Sequence, residues 1–212
     1  FLLSCIIVMN KKCFFGIAAL FFFSAAFAKK SDVQLFSGLF FTDFDYSVSD
    51  NRFFDAGFRG GEFSVSNFNF FGEENHFGFF ERLSFQAGDF FGAEFAAGPA
   101  FCAAPNDFLR IQASPFFRLG FEFEKNQNIE KYGKTSFGTG SADEYRILLG
   151  AGTSVFFFLM QSRRVSPLLG IDFSVSFFCR DFVDIDGAFY YLDYENFLLL
   201  KFSPFIGVSF NL

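Results

Sequence analysis

The chain has 212 residues, 44 of them Phe and none Trp, with 51 % hydrophobic residues and a formal charge of −6. A water-soluble domain of this size has too little interior to hide so many large rings. The acidic balance also excludes a nucleic-acid binder, which would carry a basic stripe.

The chain opens on Phe1, and the first Met is Met9, so residues 1–8 are expected to be translated upstream sequence. Met9-Asn10-Lys11-Lys12 precedes an apolar run from Cys13 to Phe27 that closes on Ala26-Phe27-Ala28. A basic tip, an apolar core and a small-x-small exit predict a secretory signal peptide over 9–28. The run falls short of the about 20 residues of a spanning helix, which disfavours the rival reading of a retained anchor. Leu3-Ser4-Cys5 resembles a lipoprotein cleavage site, but no basic region precedes it. Residues 29–212 would then form the mature domain. It keeps Cys102 and Cys179, too few for a disulfide framework. Its longest apolar stretch, Ile147 to Met160, is interrupted by Gly150, Gly152, Thr153 and Ser154, so no spanning helix is expected. Only a closed sheet then satisfies both the backbone and lipid.

Strand periodicity supports that reading, because successive side chains point to opposite faces. Val33 to Val48 and Phe53 to Phe71 are expected as the first two strands, split by Ser49 to Arg52, with their lipid face unresolved. Phe77 to Ala87 and Phe91 to Ala103 form a pair joined at a tight Gly88-Asp89 corner. From Leu109 to Phe123 the odd positions are apolar, while the even face carries Arg110, Gln112, Ser114, Arg118 and Glu122. Tyr145 to Leu159 alternates more weakly. From Val165 the odd face stays apolar as far as Cys179, which leaves Phe178 and Arg180 on the other side. The last strand puts Leu198, Leu200, Phe202, Ile206, Val208, Phe210 and Leu212 on one face and Lys201, Ser203, Gly207 and Ser209 on the other. Ala104–Asp107 and Gln161–Arg164 are short connections, whereas Lys125–Asp143 and Asp181–Asn196 are long. The pattern predicts an all-β fold, an antiparallel up-and-down transmembrane barrel of about eight strands.

A soluble lipocalin-type barrel is the structural rival. It would need a water-exposed face dense in Lys and Glu. The less apolar face is instead rich in Gly and Ser and carries Phe116, Phe156, Phe158, Phe178 and Phe205, which suits a filled lumen. Pro115, Pro167 and Pro204 fall on the lipid face, where bulges or strand ends are needed to accommodate them.

The terminal run Phe205-Ile206-Gly207-Val208-Ser209-Phe210-Asn211-Leu212 resembles the C-terminal signal of outer-membrane barrels, with Phe205, Gly207, Phe210 and Leu212 at the signal positions. The last residue is Leu where Phe is commoner. Across residues 29–212 the layout resembles small bacterial outer-membrane barrels of the OmpA, OmpX and OmpW type. The resemblance implies outer-membrane location, contact with outer-membrane lipid and insertion by the barrel assembly machinery.

For chemistry the material is thin. The only histidine, His76, falls in a turn expected on the periplasmic side, so no Ser-His-acid arrangement and no His/Cys metal site can be assembled. No catalytic residues, cofactor or metal are expected. Glu94 and Arg118 share the inward parity and flank the Ala104–Asp107 turn, and are predicted to lie opposite each other across the hairpin. Arg110, Glu122, Arg146, Asp172 and Lys201 are expected to join them in a lumenal charge network that fills rather than gates. The Asp181–Asn196 loop combines Asp184, Asp186, Tyr190, Tyr191 and Tyr194, and its Asp186-Gly187 pair predicts a projecting β-ribbon. Its aromatics also suit an interfacial girdle. Asp184-Ile185-Asp186-Gly187 lacks the further ligands of a calcium loop.

The expected function is a non-enzymatic, monomeric outer-membrane barrel with a structural or surface-interaction role, its loops contacting an external protein or matrix ligand. A narrow channel for small or hydrophobic solutes is the alternative, which the OmpW likeness implies. An outer-membrane enzyme ranks last.

Overall fold

The computed structural model describes residues 30–48, 51–71, 76–128, 141–160, 164–185, 188–192 and 196–211. Residues 9–28, expected as a signal peptide, and Asp186, Tyr194 and Leu212 lie outside the described residues. In chain order the strands are β1 (Lys30–Val48), β2 (Asn51–Phe71), β3 (Phe77–Gly88), β4 (Phe91–Ala103), β5 (Leu109–Asn128), β6 (Ser141–Leu159), β7 (Val165–Ile185), β8 (Ala188–Leu192) and β9 (Asn196–Asn211). Every neighbour pairs antiparallel. β1 bonds both β2 and β9, and β7 bonds both β6 and β9, so eight strands close on themselves. β8 stands outside the ring, paired with the end of β7. Closure removes every edge within the ring, the condition for crossing lipid with strands.

Alternation sorts the side chains. Along β5, Arg110, Gln112, Ser114, Phe116, Arg118 and Glu122 are buried in the lumen, while Phe117 faces out at 75 % exposure. On β9, Lys201, Ser203, Phe205 and Ser209 point in, and Ile206 is 72 % exposed. On β4 the outward belt runs from Phe91 to Phe101. At about 3.3 Å per residue and a tilt of about 40° that span rises about 25 Å, the height of a lipid-facing band. Phe71, Phe77 and Phe101 form a ring chain at one rim, with centroids 6.3 and 5.5 Å apart. That rim carries the β2–β3, β4–β5 and β6–β7 connections with the start of β1 and the end of β9, while the long β5–β6 connection lies at the other rim, the external one. The β4–β5 turn is held by Asn106, whose Oδ1 accepts from the backbone N–H groups of Phe108 and Leu109 at 3.0 and 2.9 Å.

The prolines are accommodated in three ways. β4–β5 pairing skips residues 98–100 and 114–116, where Pro99 and Pro115 stand opposite each other, so two missing N–H groups share one gap. β1–β9 pairing skips from Gly38–Phe205 to Phe41–Phe202 around Pro204, and there the Ser203 hydroxyl donates to the Leu39 carbonyl at 2.8 Å. Pro167 lies beyond the last β6–β7 partner, Leu168.

Register shifts occur at Arg59 of β2 and between Glu124 and Gln127 of β5, and a third, in β7, overturns the faces read from sequence. The β6–β7 register passes from Leu149–Phe178 to Gly150–Ser176, leaving Phe177 as an extra residue. This β-bulge reverses the faces beyond it. The sequence reading placed Cys179 on the lipid face and Phe178 and Arg180 inward. The structure corrects all three: Cys179 is buried and Phe178 and Arg180 are exposed.

Candidate functional site

The lumen is filled in layers. At the periplasmic end Arg110 meets Asp32 at 2.5 Å and lies 4.0 Å over the Phe158 ring. Above them is a plug of phenyl rings. Phe68 lies 4.9 Å from Phe80 and 5.1 Å from Phe156, and Phe205 lies 4.5 Å from Phe36 and 5.0 Å from Phe156. Inward glycines make the space for these rings. A Cβ on Gly170 would meet Phe205 Cζ at 2.5 Å, and one on Gly207 would meet the Phe36 Cβ at 2.5 Å.

Arg82 caps the plug, its guanidinium 4.9 Å over Phe116, and begins the central charge layer. Through Nη2 it donates to Glu94 Oε1 and Asp172 Oδ2, both at 2.9 Å, and through Nη1 to Ser154 Oγ at 3.2 Å. Ser154 in turn donates to Asp172 Oδ1 at 2.6 Å. Arg118 pairs with Glu94 Oε2 at 2.9 Å and donates to Ser174 Oγ at 2.6 Å. Lys201 donates to Glu62 and, at 3.2 Å, to Glu94. Gln86 donates to Glu62 and Glu94 at 3.1 and 3.3 Å, and Ser64 to Glu62 at 3.1 Å. Three carboxylates thus face three cations, all buried. Such charges persist away from water only when paired and hydrogen-bonded.

A third layer sits nearer the external rim. Arg146 faces Glu122 at 3.5 Å, Glu124 at 2.9 Å and Asp181 at 3.8 Å, and also binds Glu144. Buried Leu148, Leu199, Phe40 and Phe90 complete the filling on this side.

The seven charged residues singled out in the sequence are therefore distributed over three clusters. Glu94, Arg118, Asp172 and Lys201 share the central one, Glu122 and Arg146 the external one, and Arg110 the periplasmic one. Glu94 and Arg118 are not directly opposite. The register sets Glu94 against Gly120 and Arg118 against Ala96, and the pair forms diagonally. Sequence reasoning missed Arg82, Glu62, Asp32, Glu144 and Asp181. Inward parity of Ser64, Ser66, Phe68 and of Phe80, Arg82, Ser84 was the available signal, masked because Asn67, Asn69 and Glu81 occupy the opposite, nominally lipid-facing positions.

Beyond the membrane β7 and β8 form a hairpin ribbon, with Asp184 opposite Phe189 and Val183 opposite Tyr190. Tyr190 and Tyr191 are exposed, and Arg180 lies 4.9 Å over Tyr191 and 5.4 Å over Phe178. At the periplasmic rim His76 is exposed, with Nδ1 3.1 Å from the Cys102 carbonyl oxygen. In the terminal run Phe205 is buried in the plug and Phe210 is half-buried on the outward face. Among the described residues no group of three or more His, Cys, Asp or Glu side chains is arranged to hold a metal ion.

Solved structures share this architecture at low identity. Neisserial surface protein A is 11 % identical, over 85 % of this chain and 96 % of its own, with a TM-score of 0.51. A major outer membrane protein from Thermus thermophilus is 10 % identical over 87 % and 100 %, with a TM-score of 0.49. Ail, the attachment invasion locus protein of Yersinia pestis, is 13 % identical over 85 % and 99 %, with a TM-score of 0.37. No family model matches the chain, and no curated protein sequence does. The likeness is one of fold: a small, closed, eight-stranded outer-membrane β-barrel.

Proposed function

We propose that this barrel is a non-enzymatic outer-membrane anchor that presents the β7–β8 ribbon to an external protein partner. The observation that carries the reading is the contrast between a closed lumen and an open ribbon. Phenyl rings and a balanced charge layer fill the interior, so solute passage would require breaking buried ion pairs. The ribbon offers Tyr190, Tyr191 and Arg180, residue types that dominate binding hot spots. The excess of carboxylates around Arg146, together with Asp184 near the ribbon tip, favours a partner with a basic surface over a polyanion. Export through a signal peptide ending at Ala28, and insertion by a machinery reading Phe205, Gly207, Phe210 and Leu212, belong to the same proposal.

Two measurements test it. In planar bilayers the refolded barrel is expected to show no unitary current steps, and reproducible steps would revive the channel reading. Cells displaying the parent barrel should bind a basic protein surface or matrix more strongly than cells displaying a Tyr190→Ser/Tyr191→Ser variant. Equal binding at equal surface display would remove the ribbon from the function.

A further inference from the structure

The wall of the barrel is lower at β3–β4 than on either side. β3 and β4 end at the Gly88-Asp89 corner, where Ala87–Phe91 is their last pair, and the neighbouring strands run past it. β2 first meets β3 at Gly60–Gly88, so among the described residues Asn51–Phe58 pairs only with β1. β5 leaves β4 at Phe91–Phe123, so among the described residues Glu124–Asn128 pairs only with β6. Above the corner the ring therefore lacks two strands. Three strand spacings of about 4.8 Å separate β2 from β5, which leaves a notch about 14 Å wide between strand axes. Alternate N–H and C=O groups along both edges point across it. The corner itself is fastened to β2. Arg59 is the extra residue of the β2 bulge, its carbonyl accepts from the Asp89 N–H at 3.0 Å, and its guanidinium reaches Thr42 at 3.0 Å and Asp89 at 3.4 Å.

We propose that this notch receives a β-hairpin of an external protein, basic on its inward face and apolar on its outward face, which adds one strand to β2 and the other to β5. Sheet edges recognise extended partners through main-chain hydrogen bonds, and the side chains on either face set specificity. The two faces of the notch differ in chemistry. Toward the lumen, Glu122, Glu124, Glu144 and Asp181 surround the guanidinium of Arg146, and Glu124 stands on the edge strand itself. A residue directly across from Glu124 on an added strand faces the same way, and a lysine or arginine there offsets the carboxylate excess. Toward the outside, Phe58 and Phe91 are 56 % and 64 % exposed, with Phe123 half-buried beside Phe91. Valine or aromatic side chains alternating outward on the hairpin cover them. Direction fits as well. β2 runs toward the periplasm and β5 away from it, so a hairpin entering tip first lies antiparallel to both. The site is separate from the β7–β8 ribbon and does not rest on its role.

The test uses the full chain refolded in phosphatidylcholine vesicles and a fluorescent, cyclised β-hairpin peptide with lysines on one face and valine and tyrosine on the other. Anisotropy should show saturable binding above that to empty vesicles, and hydrogen exchange should slow at alternate amides within Asn51–Phe58 and Glu124–Asn128. N-methylation of the outer-edge amides of the peptide leaves its own hairpin bonds intact but removes the donors to β2 and β5, and should abolish binding. Replacing its lysines by glutamate should weaken binding several-fold, as should Glu124→Gln in a barrel whose heat-modifiable migration is unchanged. The Tyr190→Ser/Tyr191→Ser variant should bind the peptide as the parent does, so a failed ribbon and a failed notch give different results. Absence of saturable binding, undiminished binding of either altered peptide or of the E124Q barrel, or protection at β8 instead of the notch edges would overturn the proposal.

Discussion

Replacing Arg82 by methionine tests how the central charge layer holds the barrel together. The substitution conserves most of the volume and keeps the apolar stem over Phe116 but deletes the guanidinium. Glu94 then retains Arg118 at 2.9 Å and Lys201 at 3.2 Å, whereas Asp172 keeps only the Ser154 hydroxyl at 2.6 Å. The damage therefore falls on Asp172, a buried carboxylate stripped of its cation. Two charge-assisted bonds at about 1.5–3 kcal/mol each are lost, in line with the about 3–5 kcal/mol typical of orphaning a buried charge. Urea unfolding of the barrel in lipid vesicles, followed by far-ultraviolet circular dichroism and gel mobility, reads the loss directly. Adding Asp172→Asn removes the orphaned charge, so the double variant is expected to recover about 2 kcal/mol, a coupling typical of residues in one network. Arg118→Ala should cost less than R82M, because its carboxylate partner has two other cations. An R82M midpoint equal to that of the parent, or a double variant no more stable than R82M, would refute the idea that pairing rather than packing stabilises this layer.

Gly170→Ala drives a methyl group into the Phe205 ring and should destabilise the barrel by about 1–3 kcal/mol through overpacking, checked by the same urea titration. Met160 adopts φ 55° in the β6–β7 turn, so Met160→Gly should raise stability by about 1 kcal/mol by relieving left-handed strain, and a lower unfolding midpoint would contradict the turn geometry. The bulge places Cys179 inside the wall and leaves Cys102 half-buried near the periplasmic rim. A bilayer-partitioning maleimide should therefore leave Cys179 unlabelled in the folded barrel and modify it only after unfolding.

How much of this was legible in the sequence depends on how different the two faces of each strand are. The faces of β5 and β9 were legible, although β5 runs on to Asn128 where a loop was expected from Lys125, because Arg110, Gln112, Ser114 and Arg118 or Lys201, Ser203 and Ser209 alternate with large apolar side chains. β2 could not be oriented. It carries Phe68 and Phe70 inward and Asn67 and Asn69 outward, the reverse of the usual contrast, so no period-2 reading assigns its faces. Arg82 was lost for the same reason, as Glu81 beside it carries an equally polar side chain to the other face. The diagonal meeting of Glu94 and Arg118 lay beyond sequence reasoning too, since parity fixes a face but not a register.

Parity also fails wherever a strand gains a residue, and on β7 that failure marks where the membrane part of the protein ends. β7 pairs with β9 only as far as Ser176–Leu199, and the next residue, Phe177, is the bulge. Beyond it β7 stays paired with β6 as far as Asp143–Asp184 and exchanges β9 for β8, from Asp181–Leu192 to Ile185–Ala188. A bulge bends its strand and increases local twist, which is how sheets terminate pairing at barrel rims. The reversed faces then suit a different environment. Cys179, Asp181 and Val183 are buried, the second of these beside Arg146, while Arg180 turns out over Phe178 and Tyr191. One extra phenylalanine thus separates a wall built to face lipid from a ribbon built to face the outside. Deleting Phe177 should remove the bulge and keep the faces, because Ser176 inward, Phe178 outward, Cys179 inward and Arg180 outward then alternate without interruption. The deletion variant is therefore expected to protect Cys179 from the bilayer-partitioning maleimide as the parent does, and labelling of Cys179 in the folded variant would refute this account of the two faces.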